Sequence, residues 1–275
     1  MGDPMGLFAI TGAGSGIGAA TRARLEKAGH AVVGIDLHHA EIIADLSNAD
    51  GRSAAVAAVL ERSQGHLDGL LTAAGVGPPF DAEAMVSINW FGTEALLRGL
   101  RMALANSRRG QVVAISSNST TTMPELPADL IDACLALDEP LARSLAKKHG
   151  DGNTYGASKT AVARYVRRHA PTADWAGLGI RLNAIAPGAT LTPLLQAGLD
   201  SAEYGPAIKA FPVPTGDFGQ PDEIAAWIEH MLIGDGCRFM CGSLVFVDGG
   251  TDAMVRADAW PTTFAMPSGS QFGFD

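Results

Sequence analysis

A chain of 275 residues with 47% hydrophobic residues and 33 glycines is long enough to bury a sizeable core and too apolar to be disordered. Its formal net charge of −9 gives no general attraction to phosphate backbones, which argues against nucleic acid as a partner. No apolar run reaches the ~18 residues of a membrane span, and the first apolar run starts at Leu7 with no basic, apolar leader before it, so a cytoplasmic protein is expected.

In chain order, continuous apolar runs predict strands at 7–11, 31–35, 67–73, 111–115, 180–185 and 244–247, with a weaker one at 41–44. Such runs do not alternate, as expected of strands buried on both faces. Helical patterns at 19–28, 51–63, 84–105 and 155–169 lie between them. Regular strand–helix alternation predicts a single α/β domain over 1–275, a Rossmann-type doubly wound parallel sheet of about seven strands with helices on both faces. Ligands then belong at the carboxyl ends of the strands.

One segment breaks the rhythm. Between the strand ending at Ile115 and the helix at Tyr155, residues 118–153 read as a helical insertion, with Leu130, Ile131, Leu135, Leu141 and Leu145 in helical register. The tail after Asp252, with Trp260, Phe264, Phe272 and Phe274, reads as a mobile end or an arm packing on this or a neighbouring subunit. The cysteines Cys134, Cys237 and Cys241 are odd in number and lack a ligand set, so they read as small apolar side chains and no metal is expected.

The first strand runs into Thr11-Gly12-Ala13-Gly14-Ser15-Gly16-Ile17-Gly18, and a helix follows. Glycines there allow positive φ and close backbone approach, so a diphosphate can meet the free amides of the helix N-terminus. The pattern is T-G-x-x-x-G-x-G and not G-x-G-x-x-G, since Ile17 holds the last glycine's place. Asp36 closes the second strand, 18 residues past Gly18. A carboxylate there accepts from both ribose hydroxyls and repels a 2′-phosphate, which predicts NAD over NADP.

Tyr155 and Lys159 stand at i and i+4, on one face of a helix. A nearby ammonium lowers a phenol's pKa from about 10, and lowering it by about two raises the available tyrosinate about a hundredfold. Ser116-Ser117 ends a strand at the same carboxyl edge, where a serine hydroxyl can hold a substrate oxygen while tyrosine moves the proton.

Taken in order, these motifs resemble the short-chain dehydrogenase/reductase family over nearly the whole chain. The resemblance implies a catalytic set of Asn89, Ser117, Tyr155 and Lys159, with Ser117 favoured over Ser116. It implies a NAD site built from Gly12, Ser15, Gly16, Ile17, Gly18, Asp36, Asp45, Leu46, Ala74, Gly75, Tyr155, Lys159, Pro187, Gly188, Thr190 and Thr192, with Asp248-Gly249-Gly250 as the closing motif. It also implies a homodimer or homotetramer. Ala73-Ala74-Gly75 departs from the family's N-N-A-G, and Ser117 and Tyr155 stand 38 positions apart, far more than is usual. That spacing, 42–47, 186–190 and 192–199 are similar to the bacterial 3α-hydroxysteroid dehydrogenase/carbonyl reductase branch, which implies a broad apolar pocket for steroid or other cyclic ketones. Leu191, Leu194, Leu195, Leu199, Ile208 and Phe211 are candidates for a substrate lid or for the core face of a helix. Small cyclic or terpenoid alcohols are the alternative substrates, and a silent NAD-sensing protein is the alternative from outside enzymology.

Overall fold

A computed structural model describes residues 5–260; Phe264, Phe272 and Phe274 of the tail lie outside them. Seven parallel strands form one sheet: β1 (Leu7–Thr11), β2 (Ala31–Asp36), β3 (Ile42–Ile43), β4 (Gly69–Thr72), β5 (Gln111–Ile115), β6 (Arg181–Pro187) and β7 (Leu244–Val247). Their order in space is β3-β2-β1-β4-β5-β6-β7. The chain changes direction across the sheet between β1 and β4, the place where a doubly wound fold opens a crevice at its carboxyl edge. In register, Thr11 stands beside Ile35 and Thr72, and Ile115 beside Ile185, so the loops that follow these strands emerge side by side.

Twelve α-helices follow the chain among the described residues: α1 (Gly16–Lys27), α2 (Ala49–Ser63), α3 (Ala82–Val86), α4 (Thr93–Ala105), α5 (Ser119–Thr122), α6 (Ala128–Leu135), α7 (Glu139–His149), α8 (Asp151–His169), α9 (Pro193–Asp200), α10 (Gly205–Lys209), α11 (Pro221–Ile233) and α12 (Thr251–Arg256). Two apolar clusters cover the sheet. One joins Leu25, Ile224, Ile228 and Met231 of α1 and α11 to Phe8, Ile10, Leu71 and Val113. The other joins Val59, Leu97, Leu100, Val162 and Val166 of α2, α4 and α8 to Ala9, Leu70, Val112 and Leu182. No helix among the described residues is long and apolar enough to cross a membrane, and no group of three or more His, Cys, Asp or Glu side chains is placed to hold a metal.

Three sequence expectations change. The helix expected at 84–105 is broken by a single π-helical turn, Ser87–Gly92, between α3 and α4. The insertion is not one excursion. It holds the short α5 and an α6–α7 hairpin whose reversal puts Leu137 at φ 59°. Leu130, Ile131, Ala133, Cys134, Ala142 and Ala146 of that hairpin are buried in the same core as α4 and α8. Asp138 then starts α7 by accepting from Leu141 N at 3.1 Å, with Pro140 in the first turn. The tail begins as helix α12, and Arg256 sets its guanidinium 5.4 Å from the Phe246 ring and 5.0 Å from that of Trp260.

Candidate active site

Each candidate side chain is placed by the end of a strand or the start of a helix. β1 ends in Thr11, whose Oγ1 accepts from Ala74 N at 3.0 Å, so the loops after β1 and β4 are tied together. Gly12 (φ 69°) and Gly16 (φ 53°) take left-handed backbone between β1 and α1. A Cβ on Gly12 would lie 2.8 Å from Ala74 N. Ser15 is the extended residue preceding α1, and its side chain makes no capping bond.

A cavity of 660 Å³ runs along the carboxyl edge, within the range of about 300–1,000 Å³ usual for small-molecule sites. Gly12, Ser15, Gly16, Ile17, Asp36, Asp45, Leu46, Ala74, Gly75, Ser117, Tyr155, Lys159, Pro187, Gly188, Thr190 and Thr192 all line it. At one end, Asp36 is fixed by backbone donors: Gly14 N at 2.9 Å, Leu37 N at 2.7 Å and His38 N at 3.4 Å. Asp45 accepts from Ser47 N and the Asn48 side chain, bonds that hold its carboxyl below the usual range. At the other end the walls are apolar: Ile115, Met123, Leu194, Leu195, Ile208 and Phe211. The residues thus fit an extended ligand with a diphosphate over a glycine floor, hydroxyls at Asp36, and an apolar substrate beyond it.

Two of the predicted residues do not line the cavity. Gly18 is buried behind the loop, where a Cβ would lie 2.1 Å from the Gly12 carbonyl oxygen. In this position it packs α1 against the turn. Asn89, fully buried in the π-helical turn, donates to Val76 O and accepts from Val76 N, both at 2.9 Å, and its Nδ2 lies 3.2 Å from Ser158 Oγ. A Cβ on Gly75 would lie 3.1 Å from Asn89 Oδ1 and 3.2 Å from Lys159 Nζ, so both groups crowd the backbone just past β4.

The two serines at the end of β5 have different surroundings. Ser116 Oγ is committed to the backbone, donating to Lys159 O at 2.9 Å. Ser117 Oγ accepts from Ser119 N at 3.1 Å, and Ser117 lines the cavity together with Tyr155. Gly156 lets the insertion close on α8 beside Tyr155, since a Cβ there would lie 2.5 Å from Leu126 and 2.9 Å from Met123 Sδ. Lys159 donates to Ile115 O at 3.2 Å, with Nζ 6.0 Å from the centre of the Tyr155 ring.

The expected depression of the tyrosine pKa is corrected by this geometry. Burial raises the Tyr155 phenol, opposed in part by the Ser117 side chain. Burial also lowers Lys159 to about 8. Removing both groups from water disfavours both charged forms, and at 6.0 Å from the ring the ammonium does not reverse this for the phenol.

Of the proposed lid residues, Leu194, Leu195, Ile208 and Phe211 line the cavity, whereas Leu191 is exposed and Leu199 does not face it. Tyr204 also lines it, as do Thr122, Met123 and Gly152 of the insertion, a segment expected to contribute to the pocket but with no residue singled out. No motif marks them: they converge only when the insertion and the α9–α10 segment fold over one end of the sheet.

The family descriptions "short chain dehydrogenase" and "Enoyl-(Acyl carrier protein) reductase" match residues 7–127 and 146–252 respectively. The chain is 41% identical over 264 residues to a 3-alpha-hydroxysteroid dehydrogenase/carbonyl reductase of Comamonas testosteroni, covering 94% of this chain and all (100%) of that protein. A crystal structure of the 3-alpha-hydroxysteroid dehydrogenase from Pseudomonas sp. B-0831 complexed with NADH is similar with a TM-score of 0.86 and 46% identity, covering 91% of this chain and 98% of that one. A cis-4-hydroxycyclohexanecarboxylate dehydrogenase of Sinomonas cyclohexanicum is 29% identical, covering 89% of this chain and 96% of that protein.

Proposed function

The chain belongs to the short-chain dehydrogenase/reductase family, and from that premise we propose that it is a NAD-dependent oxidoreductase interconverting a secondary alcohol and a ketone on an apolar cyclic substrate, a 3α-hydroxysteroid or a molecule of similar shape. The observation that carries this reading is the meeting of Ser117, Tyr155 and Lys159 at the junction between the glycine-floored end of the cavity and its apolar end. A 41% identical relative named for 3α-hydroxysteroids, and a similar structure solved with NADH, support the substrate and the cofactor.

NAD would rest on Gly12, Ser15, Gly16 and Ile17, with Asp36 at its ribose and Asp45 and Leu46 at its base. Pro187, Gly188, Thr190 and Thr192 would flank the nicotinamide, which supplies or accepts the hydride. The protein's own part is binding, orientation and the proton. Ser117 holds the substrate oxygen, and Tyr155, kept protonated by burial, gives its proton to that oxygen in reduction and takes it back in oxidation. Lys159 would donate to the nicotinamide ribose when it is bound, and its ammonium would steady the phenolate formed in reduction. Asn89, by bonding both the N–H and the C=O of Val76, fixes the backbone just past β4 that lines the cavity.

The test is a panel of steroid ketones and small cyclic ketones, with NADH or NADPH, followed by loss of reduced-nicotinamide absorbance. Turnover of steroid ketones with NADH, and at least about tenfold less efficient use of NADPH, is the expected result. Equal use of NADPH contradicts the role of Asp36, and turnover confined to small cyclic ketones replaces the steroid reading. The Sinomonas cyclohexanicum relative, named for a substituted cyclohexanol, favours that second substrate class.

A further inference from the structure

The apolar end of the cavity is covered by residues 193–211, which contribute Leu194 and Leu195 from α9, and Ile208 and Phe211 from and after α10. Apolar contacts hold such a cover in place but give it no fixed register. Thr192 caps the start of this segment and Thr251 Oγ1 donates to Pro212 O just past its end, at 2.8 Å; between those two anchors, a hydrogen bond to a distant part of the fold is donated by Tyr204 Oη to Asp151 Oδ1, at 2.5 Å. Tyr204 sits in the turn between α9 and α10 and itself lines the cavity. Ser201 Oγ accepts from Glu203 N and Tyr204 N, both at 3.3 Å, which fixes that turn.

The acceptor is well placed to transmit a position. Asp151 lies near the end of the insertion and opens α8, one turn ahead of Tyr155. Its carboxylate also accepts from Gly152 N at 2.8 Å, and Gly152 lines the cavity. The Tyr204 phenol is pushed above its ordinary value by burial and by the Asp151 carboxylate, so it stays a donor throughout the working pH range.

We propose that Tyr204 and Asp151 form a latch that sets the apolar lid 193–211 in register with Tyr155, making Tyr204 a positioning residue that selects for ring systems large enough to span from Tyr155 to the lid. This rests on the ketone-reductase reading for its substrate, but not for the latch. The insertion then has a part in selectivity: Asp151, near its end, supplies the catch.

The test uses full-length protein and the variants Tyr204→Phe, Asp151→Ala, Asp151→Asn and the double Tyr204→Phe/Asp151→Ala. Hydrogen exchange over residues 193–211 reads the latch without any turnover. A lost charge-assisted bond corresponds to about a tenfold change in an equilibrium, so Tyr204→Phe speeds exchange of lid amides about tenfold. It also raises KM for a cyclic ketone about tenfold while changing kcat less than about threefold. Asp151→Asn keeps an acceptor oxygen and holds lid protection within about threefold of wild type. The double variant exchanges no faster than Asp151→Ala alone, because one bond is lost only once. Wild-type lid exchange in Tyr204→Phe, or additive effects in the double variant, overturns the latch. Absence of ketone turnover in the wild type refutes the ketone reading instead, and exchange still decides the latch.

Discussion

Lys159 is 5% exposed, and its ammonium donates to the Ile115 carbonyl. Its pKa falls from 10.5 to about 8 on folding. Below pH 8 the folded protein therefore carries the full cost of a buried charge, about 3 kcal/mol. That cost is relieved as pH rises from 8 to above 10, because the unfolded chain then holds the proton that the folded one has released. Replacing Lys159 by Met removes the charge and one hydrogen bond worth about 1 kcal/mol. Denaturant unfolding is expected to show Lys159→Met more stable than wild type by about 2 kcal/mol at pH 7, with the gain shrinking above pH 8. Tyr155 carries the opposite logic for activity. Its phenol is held above the ordinary value, so ketone reduction should be level through neutral pH while alcohol oxidation climbs with pH, measured as kcat/KM in both directions from about pH 6 to 10. The pairing of Tyr155 with Lys159 was legible from their spacing. The sign of the phenol's shift was not, because desolvation is set by what α8, β5 and the insertion bury together. Between Ser116 and Ser117 the resemblance favoured the second, and the bond of Ser116 to the Lys159 carbonyl supplies the physical difference between them.

At the scale of elements, the turn that carries Asn89 is the clearest case of a device hidden from the sequence. Ser87–Gly92 continues the apolar helical register of its flanks, so an unbroken helix was the natural expectation. The π-helical turn is tied to two residues of the insertion: Arg143 donates to Ser87 Oγ at 2.9 Å, and Trp90 Nε1 donates to Cys134 O at 2.6 Å. Asn89→Ala leaves the polar backbone groups of Val76 without their partners, and is expected to cost about 2–3 kcal/mol in unfolding experiments. Gly18→Ala acts through the other wall of the site. A methyl group 2.1 Å from the Gly12 oxygen must move α1 or the loop, so NADH affinity measured by fluorescence titration should fall by at least about tenfold. The glycine motif was readable as a motif, whereas its division into Gly12 and Gly16 at the cavity and Gly18 behind it needed the packing. The α6–α7 reversal was concealed by Leu137, which adopts a positive φ where glycine is the usual marker.

For the whole molecule, the continuous apolar runs made the parallel sheet legible, and the strand–helix rhythm made its winding legible. The cover over the substrate end was legible only as a set of leucines, since α9, α10 and the insertion meet through contacts distant in sequence. β7 is an edge strand, half-buried along its length, and Phe239, just before it, is fully exposed at 100%. Among the described residues, an edge strand near a large exposed apolar side chain would suit a second copy. Sedimentation velocity is expected to show a dimer or tetramer, and Phe239→Asp to shift it towards monomer. The account as a whole turns on Tyr155 as the group that moves the proton, and Tyr155→Phe removes that hydroxyl while keeping the ring. NADH affinity by fluorescence titration and ketone reduction by absorbance should be measured on the same preparation. The account predicts NADH binding within about threefold of wild type and a loss of kcat of at least about a hundredfold; a variant that binds NADH and reduces the ketone at the wild-type rate would contradict it.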